Sequence, residues 1–284
     1  MSERRLLAVL AHPDDESFGS GGTLARYAAE GVDVHIAIAT DGAAGSVVSE
    51  YEEERERLAH VRIQELEAAV AILGAELHTL NYRDSGYIGD PANEHPEAFI
   101  NIDEDEVVGR VVGLIRDIQP QVVITHDETG GYFHPDHIMA HKVTTRAFHA
   151  AGNAEAYPDD GAAPYQPVRL YYTAMPARWT KVYATIMRLR GQDPTRIGRN
   201  QDIDITQVGQ PLSRLNVRLN IFPYWEVKRD ASAQHRSQGG GGFSTTFPEW
   251  LQKRLFNMEY FIRAYPPAEN GEIDRDLFEG IDGA

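Results

Sequence analysis

The residues from Leu6 to Ala11 form an unbroken apolar run, and the run ends in His12-Pro13-Asp14-Asp15-Glu16. An uninterrupted apolar stretch of strand length reads as a strand buried on both faces, which a parallel sheet covered by helices provides. Ser17-Phe18-Gly19-Ser20-Gly21-Gly22 follows, and a helix is expected over 19–30, closed by Gly31. An imidazole and two carboxylates therefore stand where a central strand gives way to a helix, the edge at which open parallel sheets bind ligands. Acidic residues there also serve simply to complement a helix dipole. A second cluster shifts that balance: His134-Pro135-Asp136-His137 lies beyond another apolar run, Val122-Val123-Ile124-Thr125, and opens another helix.

The rest of the chain repeats the alternation. Strands are predicted at 32–40, 77–82, 121–125 and 168–174, with helices at 52–73, 103–118 and 135–150. Pro135 suits a first helical position, and Pro120 stops the helix before it. His35, inside the second strand, reads as structural. Strand and helix in alternation give an α/β fold, a Rossmann-like, doubly wound, mostly parallel sheet. Residues 1–175 form this core. Residues 176–284 are expected to be a smaller C-terminal α+β subdomain that shapes the substrate pocket, with helices at 179–190, 225–236 and 248–264, a strand at 215–221, glycines 239–242 as a separator and an acidic tail, partly mobile, from Glu269.

With 284 residues and an apolar share of 42%, a large core is within reach. A net charge of −16 argues against nucleic acid or an anionic membrane as partner. No apolar run reaches the length of a membrane span, so a cytoplasmic protein is expected. The absence of cysteine leaves His, Asp and Glu as metal ligands.

His12, Asp15 and His137 make a two-His-one-carboxylate set with room for water. Zinc suits it, and Fe2+ or another divalent ion uses the same donors, so ligand type alone does not choose. Asp14 is placed to take a proton from an activated water. A protonated His134 is placed to stabilise an oxyanion, with Asp136 orienting or charging it. This equipment suits amide hydrolysis.

These two motifs, Ala11 to Glu16 and Tyr132 to His137, make the chain resemble the PIG-L/LmbE family of zinc-dependent deacetylases acting mainly on N-acetylglucosamine-containing substrates. The resemblance covers about residues 5–175. It implies His12, Asp15 and His137 as ligands of one Zn2+, Asp14 as general base, and His134 as stabiliser of the tetrahedral intermediate with Asp136 behind it. A narrower resemblance, carried by Arg62 to Leu66 and Arg83 to Gly86, is to the mycothiol and bacillithiol branch. It implies Arg62 and Asp84 as sugar-binding residues, and Tyr132 as a mobile tyrosine beside the scissile amide. Taken alone, Arg62 reads as a surface helix residue paired with Glu65. The implied partner is a small amino-sugar that is a low-molecular-weight-thiol precursor, and a homo-oligomer is allowed. Residues 228–238 resemble a family segment without an assignable role.

Three rivals compete. A dinucleotide-binding domain has Asp41 after the second strand, but Gly19, Gly21 and Gly22 miss the glycine fingerprint because position 24 is Leu. An inactive binding module is disfavoured because Asp14 and His134 are both present. The same machinery used on a thiol S-conjugate or another N-acyl sugar is the serious alternative.

Overall fold

In the computed structural model every side chain from Leu6 to Ala11 is at most 1% exposed. The structure describes residues 4–158, 162–198, 201, 203–240, 248–269 and 271–281. Successive strand residues point to opposite faces. Leu6, Ala8 and Leu10 thus enter one core layer while Leu7, Val9 and Ala11 enter the other. Strand β1 (Arg5–Leu10) is central for this reason: it has no face to offer water.

Strands β1, β2 (Asp33–Thr40), β3 (Glu76–Tyr82), β4 (Val122–His126) and β5 (Arg169–Ala174) are parallel. Helices α1 (Asp15–Ala29) and α2 (Leu58–Leu73) cover one face through Leu24, Tyr27, Leu66 and Val70. Helices α3 (Glu104–Ile118) and α5 (Pro135–Ala150) cover the other through Val107, Val111, Ile115, Val143 and Ala147, with the single turn α4 (Gly130–Phe133) just before α5. The strand order is β3-β2-β1-β4-β5-β7-β6. The chain leaves β1 outward through β2 and β3, then returns to its other side with β4. That reversal opens a crevice beyond the ends of β1 and β4, where both polar clusters lie.

The α/β class, mostly parallel and doubly wound, is as expected; two details differ. The helix expected over 248–264 is a short α8 (Glu249–Leu255) followed by strand β7 (Met258–Tyr265). Met258 to Tyr265 is aromatic-rich and alternates, with Phe261 1% exposed, and β7 pairs antiparallel with both β5 and β6 (Val217–Asn220). The acidic tail is anchored: Leu277, Phe278 and Ile281 pack into the α1 face of the core. Their apolar burial outweighs the repulsion that the tail's charge implied.

Elsewhere boundaries move by a few residues. Helix α1 starts at Asp15, directly on the first motif. The Glu/Arg-rich segment Ser49–Arg57 is a 3-10 stretch before α2. Helix α6 spans Ala177–Leu189 and α7 spans Trp225–Ser232. Of the glycine separator, Gly241 and Gly242 lie outside the described residues. Among the described residues no helix is long and apolar enough to cross a membrane.

Candidate metal and active site

The turn after β1 and the start of α5 bring His12, Asp15 and His137 together. His12 Nδ1 lies 3.0 Å from His137 Nε2 and 3.7 Å from Asp15 Oδ2, and His137 Nε2 lies 3.4 Å from Asp15 Oδ1. Tetrahedral bonds of ~2.1 Å separate their donors by roughly 3.4 Å. The protons of both imidazoles are engaged elsewhere. His12 Nε2 sits 3.0 Å from Asp136 Oδ2, and His137 Nδ1 sits 3.1 Å from the Gly130 carbonyl. With those nitrogens donating, two imidazole lone pairs and a carboxylate face one point, a donor set that fits a divalent cation.

The surrounding charges say the same. Burial alone would lower the His12 imidazole, but Asp84 and Asp136 outweigh it and hold it well above its usual value. Burial alone would raise Asp15, but His137, His126 and His12 hold it well below the carboxylate range. His137, the third donor, is held well below its usual value by burial, against the opposing charge of Asp15, so its ring favours the neutral form. Glycine matters here at position 130. Its φ is +62°, and a Cβ would stand 2.8 Å from that of His137, so a side chain would push away the imidazole its carbonyl orients.

Asp14 adjoins this point. Its backbone sits at φ 121°, ψ −29°, strained for a non-glycine residue. Two contacts hold it there: its N–H donates to Glu16 Oε2 at 2.9 Å, and Arg62 donates to its carboxylate at 3.1 Å. Burial pushes the Asp14 carboxyl up to about 7; Arg62 opposes this and the Asp15 charge adds to it.

Arg62 is only 2% exposed, so it is not a surface helix residue. Its guanidinium bonds the carbonyls of Gly42 and Pro13 as well as Asp14, and Glu65 instead accepts from Ser237. Gly42 admits it, since a Cβ there would lie 2.6 Å from the guanidinium. Asp84 is buried 3.5 Å from His12 Nε2 and accepts from the N–H groups of Ala44 and Gly86. Burial would raise its carboxyl, but His12 and Arg62 keep it well below the usual range.

Two expected roles are revised. Asp136 was expected behind His134, but its carboxylate instead accepts from the Ser85 N–H and faces His12. Its backbone N–H donates to His134 Nδ1 at 3.2 Å, because His134 is the N-cap of α5. His134 was expected to be protonated. Burial, and then the neighbouring His12, lower it to about 3. A neutral ring whose Nδ1 accepts carries its proton on Nε2 and remains a donor. Its ring centroid is 4.4 Å from that of His12 and 5.8 Å from that of Tyr132. Burial holds the Tyr132 phenol well above its usual value, with the charges of Asp15 and Asp14 adding to it.

Sequence reasoning missed other members of the site. His126, ending β4, stacks on His137 at 4.0 Å, accepts from the Ala11 N–H and comes within 3.5 Å of Asp15. A single histidine ending an apolar strand carries no motif. Tyr87 stacks on Tyr132 and donates to its carbonyl. Residues 228–238 acquire a structural reading. Lys228 pairs with Glu259 at 2.6 Å, and Glu259 accepts from Gly22 and Thr23 on α1. His235 meets Glu16 at 2.7 Å, next to the Asp14 turn.

Comparison with known proteins matches residues 7–148 to the family described as PIG-L, GlcNAc-PI de-N-acetylase. A 1D-myo-inositol 2-acetamido-2-deoxy-alpha-D-glucopyranoside deacetylase of Geodermatophilus obscurus is 47% identical over 295 residues, covering 99% of each chain. The enzyme of the same name from Rhodococcus jostii is 37% identical over 304 residues, again covering 99% of each. Among solved structures, N,N'-diacetylchitobiose deacetylase from Pyrococcus horikoshii superposes with a TM-score of 0.62 at 21% identity, covering 92% of this chain and 84% of that one.

Proposed function

The chain belongs to the PIG-L family, and from that premise we propose that it is a metal-dependent N-deacetylase of an N-acetylglucosaminyl small molecule, an inositol glycoside on the way to a low-molecular-weight thiol. The observation that carries the reading is the convergence of His12 Nδ1, His137 Nε2 and the Asp15 carboxylate, with the Asp14 carboxylate beside them. These three residues hold the ion, which we assign as one Zn2+ at this site. Bound there, it supplies Lewis acidity that makes a water nucleophilic at neutral pH.

The protein's own groups do the rest. Asp14 accepts the proton of the attacking water and returns it to the departing amine, steps for which a carboxyl tuned toward neutrality is suited. Arg62 holds Asp14 in its strained turn and favours its ionised form. The His134 Nε2–H donates to the oxygen that becomes negative as the acetyl carbon turns tetrahedral, and a neutral donor does so without a proton being transferred. Asp136 aims the His12 lone pair, and the Gly130 carbonyl aims that of His137. Tyr132 packs edge-on against His137, its ring centroid 5.0 Å away, and is the tyrosine assigned to the scissile amide. Arg62 and Asp84 line the sugar side of this pocket.

The test is product analysis on N-acetylglucosaminyl-inositol, N-acetylglucosaminyl-malate and a thiol S-conjugate in parallel. Acetate released fastest from the inositol glycoside is expected. Cleavage confined to the S-conjugate would replace the deacetylase reading with a conjugate amidase.

A further inference from the structure

At the opposite edge of the sheet, the register of β2 on β3 sets His35 against Glu76 and Ala37 against His78. Side chains of alternate residues share a face. Asp33 and His35 on β2 therefore stand beside Glu76 and His78 on β3, the sheet's edge strand. His35 pairs with Leu7, about 16 Å of strand before His12 at ~3.3 Å per residue, so this cluster is separate from the catalytic pocket.

His35 Nε2 lies 3.1 Å from Asp33 Oδ2. With His35 Nε2–H donating to that carboxylate, the Nδ1 lone pair is directed at His78, whose Nε2 is 3.0 Å away. The Glu76 carboxylate completes a triangle, 3.9 Å from His35 Nδ1 and 3.8 Å from His78 Nε2. This is the carboxylate–histidine arrangement that orients metal-bound imidazoles. A cation seated across the 3.0 Å gap would gain both imidazoles and Glu76. His35 is nearly buried and His78 is about one-fifth exposed, while Glu76 and Asp33 are open to water, so an ion has an entry path.

We propose that His35, His78 and Glu76 form a second divalent-cation site, for zinc, that clips edge strand β3 to β2, with Asp33 as the residue that positions His35. Two imidazoles and one carboxylate with an open position for water suit zinc. The chain's net charge of −16 raises the local concentration of cations.

The inference stands apart from the deacetylase reading, and its test counts metal rather than turnover. The full-length protein is dialysed against micromolar Zn2+ and its bound zinc measured. Two equivalents per chain are expected. His78→Ala and, as a milder change, Glu76→Gln should each hold one. Asp33→Asn, which leaves all three donors in place, should weaken the second equivalent roughly 10- to 100-fold, the usual effect of removing an orienting partner. His12→Ala should lose the other equivalent and keep this one. Thermal melting gives a second readout: zinc beyond the first equivalent should raise the Tm of wild type and not that of His78→Ala. A wild-type zinc content that His78→Ala leaves unchanged, or an equivalent lost in His78→Ala that binds only at millimolar zinc, overturns the proposal. So do His78→Ala and Glu76→Gln variants that still bind two.

Discussion

His235 Nε2 and Glu16 Oε1 meet at 2.7 Å across 219 residues of sequence, and neither side chain is exposed. Glu16 also accepts from the Asp14 N–H, so the C-terminal third of the chain reaches directly into the strained turn that presents Asp14 and Asp15. This contact has a pH signature. Burial would lower His235, but the Glu16 carboxylate outweighs it and the folded value lies above the usual 6.5. Its stabilising contribution is therefore full below the unfolded value and lost as pH rises through the folded one. Replacing His235 by Gln should cost about 3–5 kcal/mol at pH 6 by removing the cation that offsets the buried Glu16 carboxylate. Urea denaturation of both proteins from pH 5.5 to 9 checks this. The gap should narrow with rising pH, and a constant gap would show that charge at His235 plays no part.

The adjacent carboxylates Asp14 and Asp15 separate by metal content. Asp14→Asn should keep its ion and lose roughly 10²–10⁴ in kcat, the usual worth of a general base. Asp15→Asn should lose the ion. Metal analysis beside kcat decides: a metal-free Asp14→Asn with a metal-loaded Asp15→Asn reverses the assignment.

His134→Ala should lower kcat by about 10²–10³, the range for deleting one oxyanion donor. Because His134 titrates near 3, it is neutral throughout the working range. The pH–rate profile of the variant should therefore fall uniformly and keep both limbs. Disappearance of the basic limb would mean that His134 acts as a protonated acid after all.

Arg62 lowers the Asp14 carboxyl, and the proposed function also gives it a place on the sugar side of the pocket. Arg62→Ala should thus raise KM and, in addition, move the acidic limb of kcat/KM to higher pH, since removing the cation favours the protonated base. Arg62→Lys should restore the limb better than it restores KM. An unmoved limb would leave Arg62 with a purely binding role.

Phe278 anchors the tail, 3% exposed with its ring centroid 5.3 Å from that of Tyr27. Phe278→Ala should cost about 3–5 kcal/mol in urea denaturation. A change below roughly 0.5 kcal/mol, the scale of a surface substitution, would show the tail to be dispensable.

The sequence by itself determined the parallel core and the position of its site. Leu6 to Ala11 and Val122 to Thr125 are apolar on both faces, which admits only a covered parallel sheet, and the polar residues at their ends must then fall at its ligand-binding edge. The motif residues His12, Asp14, Asp15, His134 and His137 were legible for the same reason: each lies within a few residues of a strand end or helix start, so local geometry alone brings it to the crevice. Tertiary structure decided the rest, because it depends on contacts between residues far apart in sequence. Strand β7 was hidden because Met258 to Tyr265 follows a helical stretch directly and its alternation gains meaning only once β5 and β6 lie on either side. His126 joined the site only through Ala11 and His137, and Asp136 turned to His12 because the backbone at the start of α5 had already satisfied His134. Arg62 left the surface only because Gly42, Pro13 and Asp14 together offered its charge a buried place. A single side chain's partner is set by which groups burial leaves unsatisfied, and that is fixed by the packing of the whole chain.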